Sequence, residues 1–185
     1  MSVRLWMFDT ELAKVKALVG SGDIDAVEHV LAAHEAEYGY EAEPEVVQAL
    51  DQIVNNGKFD EANEPDHWAA YLLAHKCSRN LTSYDGETTR WAFSDFAEWL
   101  AVVADDPRLT ELAEYLSDGR NLVTGERVGF AEHPACYLTL DEVRYMLAAF
   151  ERLSETYTDE LMRADLMPLL AELSTAGRDL FGYAN

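Results

Sequence analysis

Strand-forming segments at both ends of the chain constrain its fold more than any other feature. Residues 3–8 are rich in side chains that favour β-structure, and residues 180–183 read as a short final strand. Between these two segments, apolar residues recur mostly at helical spacing. Because terminal strands are commonly held by pairing, we predict an α+β fold. It would be a predominantly helical single globular domain over residues 1–185, with a small sheet that involves the N- and C-terminal strands.

Capping signals divide the middle of the chain into helices. Asp9 or Thr10 is expected to cap a first helix, and Asp23 a second. Thr139 and Glu142 have the spacing of a capping box, which predicts another helix start. Prolines suit the first turn of a helix, and three of them are placed to begin one: Pro44, Pro65 and Pro107.

The remaining segments carry weaker signals. Ser94 is expected to cap a helix, and Asp165 to cap one that contains Pro168 and ends at Gly177. The region 120–138 is the least helical, and short apolar runs within it favour a loop with one or two short strands.

The charge balance excludes several kinds of partner. The 185 residues include 14 Lys and Arg against 35 Asp and Glu, a formal net charge of −21. Phosphate backbones and anionic membranes are bound by basic side chains, so neither nucleic acid nor a membrane is a predicted partner. At 49% hydrophobic residues, the chain is also too apolar for intrinsic disorder.

One stretch of the chain, residues 17–57, contains no Lys or Arg. Its acidic side chains fit either a solvated face that aids solubility or a docking surface for a basic protein partner. The densest acidic segment supplies the predicted partner-binding residues, which are Glu35, Glu37, Glu41, Glu43 and Glu45.

A second candidate site is aromatic. Large aromatic residues are dense between positions 68 and 99, and they include Trp68, Tyr71, Trp91, Phe93, Phe96 and Trp99. Core packing accounts for such a cluster, but amphipathic rings also line ligand pockets. The predicted ligand-binding residues are Trp68, Tyr71, His75 and Trp91.

The sequence contains no recognised catalytic or metal-binding motif. Phosphate loops, dinucleotide fingerprints, nucleophile elbows and two-histidine zinc helices are all missing, so we predict no catalytic residues, metal or cofactor. His75 and Cys77, together with His133 and Cys136, have spacings that resemble a zinc site only weakly. Two cysteines in a chain of this size are typical of reduced thiols, and a cytoplasmic location is expected.

The second half of the chain resembles a known group of proteins. Residues 116–143 (LSDGRNLVTGERVGFAEHPACYLTLDEV), the helix after them and the ending 176–183 (AGRDLFGY) resemble a family of uncharacterised actinobacterial proteins, and more distantly the YfbM-like family. The resemblance implies an α+β fold and a bacterial cytoplasmic protein, and it brings no activity. One departure from the YfbM-like pattern is that Leu72, not histidine, stands four residues after Trp68.

Two functional hypotheses follow. The leading one is a non-enzymatic acidic interaction module, immunity- or antitoxin-like, that engages a basic partner. The alternative is a small-molecule-binding protein or enzyme with an aromatic-lined pocket near Trp68. The sequence leaves the oligomeric state open.

Overall fold

The computed structural model describes residues 2–78, 89–92, 105–129, 133–153 and 166–184. These segments form four strands and seven helices. In chain order they are β1 (Ser2–Thr10), α1 (Leu12–Leu18), α2 (Ile24–Tyr38), α3 (Pro44–Asn56), α4 (Glu64–Ser78), β2 (Thr89–Ala92), α5 (Pro107–Asp118), β3 (Ala135–Leu138), α6 (Leu140–Leu153), α7 (Met167–Ala176) and β4 (Asp179–Ala184).

The strands form one sheet in the order β2-β1-β4-β3, and every neighbouring pair is antiparallel. The two terminal strands lie side by side at its centre, with Phe8 opposite Phe181 and Met7 opposite Gly182. The predicted α+β fold with paired terminal strands is therefore confirmed.

Helices pack on both faces of this sheet. Side chains alternate between the two faces along each strand, so each strand supplies apolar residues to both sides. Phe8, Tyr137 and Phe181 point into a core shared with α1 to α4. Their neighbours Met7 and Cys136 point into a second core with α5, α6 and α7. The sheet thus separates two apolar layers of the protein.

Most predicted helix starts are confirmed. The Asp23 side chain accepts a hydrogen bond from the N–H of Ala26 at 3.1 Å. Thr139 and Glu142 form the capping box, with the Thr139 N–H donating to the Glu142 carboxylate at 2.8 Å. The three prolines all lie at the starts of α3, α4 and α5.

The predicted cap of α1 is wrong. Asp9 and Thr10 are buried within β1, and Glu11 takes the N-cap position without a side-chain hydrogen bond to the helix. The N–H of Leu12 instead donates to Asp179, 167 residues further along the chain, at 2.7 Å. A short helix that follows a strand directly is therefore capped by tertiary contact.

The 120–138 region forms one of the expected short strands, β3, and an isolated bridge between Arg120 and Arg127. The helix expected after Ser94 and the predicted cap Asp165 lie outside the described residues. In the part of the chain that is described, no helix is both long and apolar enough to cross a membrane.

Candidate functional site

A cavity of about 290 Å³ lies where the end of α2, the start of α3, the start of α4 and the end of β4 meet. Its lining combines aromatic rings with carboxylates, and the described part of the chain contributes no Lys or Arg to it. The lining residues are His34, Tyr40, Glu43, Val46, Glu64, Pro65, Trp68 and Tyr183.

The connection between α2 and α3 forms one wall. Gly39 has a φ of 76°, a left-handed conformation that glycine adopts without strain, and this ends α2 after Tyr38. The chain then turns back, so that the rings of Tyr40 and His34 meet edge to face with centroids 5.4 Å apart. Tyr40 is 60% exposed and His34 only 2%. The wall therefore has an open aromatic edge and a buried histidine.

Trp68 and Tyr183 form the opposite wall. Their ring centroids are 5.0 Å apart at an interplanar angle of 61°, which joins α4 to the last strand. Burial raises the pKa of Tyr183, and the negative charge of Glu64 raises it further. Its phenol therefore stays protonated at neutral pH.

Two buried histidine nitrogens, one in the cavity lining and one on a residue that contacts the lining, have no hydrogen-bond partner among the described residues. They are Nδ1 of His34, which lines the cavity, and Nδ1 of His133. The other ring nitrogen of His133 lies 3.5 Å from a carboxylate oxygen of Glu64, and its ring is 6.4 Å from that of Tyr183. Buried polar atoms in proteins are usually paired with protein groups or with ordered water.

Three of the four predicted ligand-binding residues lie next to one another on α4. Trp68 stacks on Tyr71 with ring centroids 4.8 Å apart, and Tyr71 stacks on His75 at 5.5 Å. Trp68 lines the cavity, but Tyr71 is 4% exposed and is packed behind it against Phe8. Trp91 belongs to β2, opposite Val3, and its side chain is outside the described part of the chain.

The predicted partner-binding residues are exposed, and they come from the segment of chain that forms one wall of the cavity. We call the exposed side chains of Glu35, Glu37, Glu41, Glu43 and Glu45 the acidic rim. They come from the end of α2, the connection after it and the first turn of α3. Only Glu37 has an ion pair among the described residues, with Lys76 of α4. Glu43 belongs to both the rim and the cavity lining.

The two cysteines do not come together. Cys136 is fully buried in the core shared with α5 to α7, whereas Cys77 packs against the core on the other face of the sheet. Both are free thiols. Within the described segments no three His, Cys, Asp or Glu side chains are grouped to hold a metal ion.

Sequence reasoning missed most of the cavity lining. The helical spacing of His34 indicates an inward position, and the turn residues after it indicate that α2 ends nearby. The approach of Tyr183 and Glu64 depends on the packing of α4 against β4, for which no local pattern exists.

The fold and the cavity define the chain as an α+β protein with helices on both faces of an antiparallel sheet and an acidic, aromatic surface pocket. The chain belongs to the family DUF7691, a domain of unknown function, whose model matches residues 1–184. Comparison with curated proteins gives no significant match. Comparison with solved structures gives none either.

Proposed function

We propose that this protein is a non-enzymatic, cytoplasmic interaction module that binds a basic protein partner through the acidic rim. The observation that carries the proposal is the exposure of all five glutamates, four of which have no ion pair among the described residues. Exposed carboxylates that the protein itself leaves uncompensated favour binding of a positively charged surface.

The distribution of charge supports the same conclusion. Residues 17–57 contain no base that would weaken the local field, and the whole chain carries a formal charge of −21. Fields of this kind accelerate the encounter with an oppositely charged partner, and salt weakens them. Binding at the rim should therefore be fast and strongly dependent on ionic strength.

An immunity or antitoxin role is one concrete form of this proposal. A nuclease binds an anionic substrate with basic side chains, so a protein that neutralises it gains from a dense acidic surface.

The experiment is affinity capture from the native host at low and at physiological salt. The test variant neutralises the four rim residues without a described ion pair, Glu35→Gln/Glu41→Gln/Glu43→Gln/Glu45→Gln. We expect the wild-type protein to retain a basic protein that this variant loses.

A matched control changes the net charge equally but elsewhere. It neutralises four exposed residues away from the rim, Asp105→Asn/Glu126→Gln/Asp141→Asn/Glu151→Gln. The control should retain the partner. Equal losses in both variants, or no partner at either salt concentration, would contradict the proposal.

A second candidate function is small-molecule binding, with or without catalysis. The cavity favours it, because a volume of about 290 Å³ with aromatic walls is close to the lower end of the size range of small-ligand sites. Native mass spectrometry of protein purified from the host tests this candidate. A retained compound that is lost on Tyr40→Ala substitution supports it.

A further inference from the structure

We propose that the cavity is an anchor pocket for the side chain of one arginine residue of the basic partner. This inference rests on the proposed function, since it names the group that the acidic rim brings to the cavity. It joins the two candidate sites, which meet at Glu43.

The chemistry of the lining selects a cation. Among the described residues, the cavity is lined by two carboxylates, Glu43 and Glu64, and by no Lys or Arg. An anionic ligand would face two negative charges without any basic partner. A positively charged group would be attracted by both carboxylates.

A buried histidine ring also lies against the cavity. His34 is 2% exposed, and its Nδ1 has no partner among the described residues. A guanidinium group carries five N–H donors and no acceptor, so it matches a pocket whose charged polar groups accept.

The rings distinguish arginine from lysine. Tyr40, Trp68 and Tyr183 present aromatic surface to the cavity. A guanidinium is planar and weakly hydrated and stacks on such surfaces, whereas an ammonium is compact and strongly hydrated. The pocket is therefore expected to prefer arginine to lysine at equal charge.

The position of Tyr40 suits an entrance. It is 60% exposed, although its neighbour His34 is buried, and Glu41 and Glu43 follow it in the chain. A basic segment bound to the acidic rim would thus lie across the mouth of the cavity, and one of its own side chains would be close enough to enter.

The test uses two peptides of equal length and charge, acetyl-KGKGRGKGK-amide and acetyl-KGKGKGKGK-amide, with calorimetry at low salt. We expect the arginine peptide to bind about fivefold more tightly, as a cation–π contact in a partly desolvated site would give. A third peptide with citrulline at the central position keeps the shape but removes the charge, and it should bind no more tightly than the lysine peptide.

The variants separate the pocket from the rim. Tyr40→Ala should abolish the preference for arginine, Tyr40→Phe should keep it, and Glu43→Gln should reduce it. Ile24→Ala, at an exposed apolar residue near the start of α2, is the matched control and should change nothing. Glu35→Gln/Glu45→Gln should weaken binding of the arginine peptide and of the lysine peptide by the same factor, so that the ratio of their affinities stays unchanged.

The outcomes distinguish the two proposals. If both peptides bind with strong salt dependence but equal affinity, the anchor pocket is wrong and the acidic interaction surface stands. If neither binds, the proposed function fails with it. If methylguanidinium alone binds more tightly than the arginine peptide, the cavity takes a free small cation, and the assignment to a partner's side chain is overturned.

Discussion

The carboxylate of Asp179 accepts the backbone N–H of Leu12 at 2.7 Å, although 167 residues separate the two in the chain. Its other oxygen accepts the N–H of Leu140 at 2.8 Å. One side chain at the start of β4 therefore caps both α1 and α6, on opposite faces of the sheet. The negative charge also suits the positive ends of the two helix dipoles.

Asp179→Ala should therefore cost about twice as much stability as removal of an ordinary cap. Each lost cap is worth about 1 kcal/mol, so we expect a loss of about 2 kcal/mol in the free energy of unfolding. The control is Asp23→Ala, which removes the cap of α2 alone and should cost about 1 kcal/mol. Urea denaturation measures both values. Equal losses would show that Asp179 stabilises only one helix.

His67 predicts a dependence of stability on pH. The backbone N–H of Ala135 donates to its Nδ1 at 3.1 Å, which leaves Nε2 to carry the proton and donate to the carbonyl of Glu61 at 3.0 Å. Burial lowers the pKa of His67, and this outweighs the hydrogen bond to Glu61 and the nearby carboxylates of Asp66, Glu61 and Glu64, which raise it. The folded protein therefore prefers the neutral ring.

The sign follows from proton binding in the two states. Below the unfolded pKa of about 6.5, the unfolded chain binds a proton at His67 that the folded chain resists. The contribution of neutral His67 to the free energy of unfolding is fully present above this pH. It is lost as pH falls towards the folded pKa, and the free energy then changes by at most about 1.4 kcal/mol per pH unit. Urea denaturation at a series of pH values gives the free energy of unfolding of the wild type and of His67→Gln. The difference between the slopes of these two free energies against pH measures the contribution of His67. Parallel profiles would contradict the assignment.

Gly182 predicts a steric effect at the centre of the sheet. A Cβ atom there would lie 2.9 Å from Sγ of Cys136 and 3.0 Å from the carbonyl oxygen of Trp6. Both contacts are too close, and one is with backbone, so Gly182→Ala should cost about 1–3 kcal/mol through overpacking. In the control Gly129→Ala, no atom of the described residues lies within 4 Å of the new Cβ, and the variant should stay within about 0.5 kcal/mol of the wild type. Equal melting temperatures would show that the strands shift freely.

The outcome at the helix starts shows how far the sequence predicts this fold. Asp23 and the Thr139–Glu142 capping box were predicted because each cap and the amide it binds lie within three residues of each other. The cap of α1 was mispredicted, because its acceptor is Asp179 at the far end of the chain. Residues close together in the sequence therefore predict where these two helices begin, whereas the side chain that caps α1 is determined by tertiary packing.

The candidate site was likewise predictable only in part. Trp68, Tyr71 and His75 lie together because they share one helix, so their spacing alone predicted the contact. The cavity depends on Tyr183 reaching Trp68, which requires the pairing of the terminal strands and the packing of α4 across them. No motif within the sequence specifies that arrangement.

The uncompensated charge of the acidic rim gives the last prediction. Since the chain carries a formal charge of −21, self-repulsion should lower its stability most at low salt. Raising the salt to about 0.1 M, where the Debye length is about 10 Å, should raise the melting temperature.

The rim variant Glu35→Gln/Glu41→Gln/Glu43→Gln/Glu45→Gln should melt higher than wild type at low salt, and its melting temperature should respond less to added salt. The control variant with four neutralised residues elsewhere should show a smaller gain, because its carboxylates come from separate parts of the chain. A melting temperature that is flat or falls with salt would show that the acidic side chains are compensated locally.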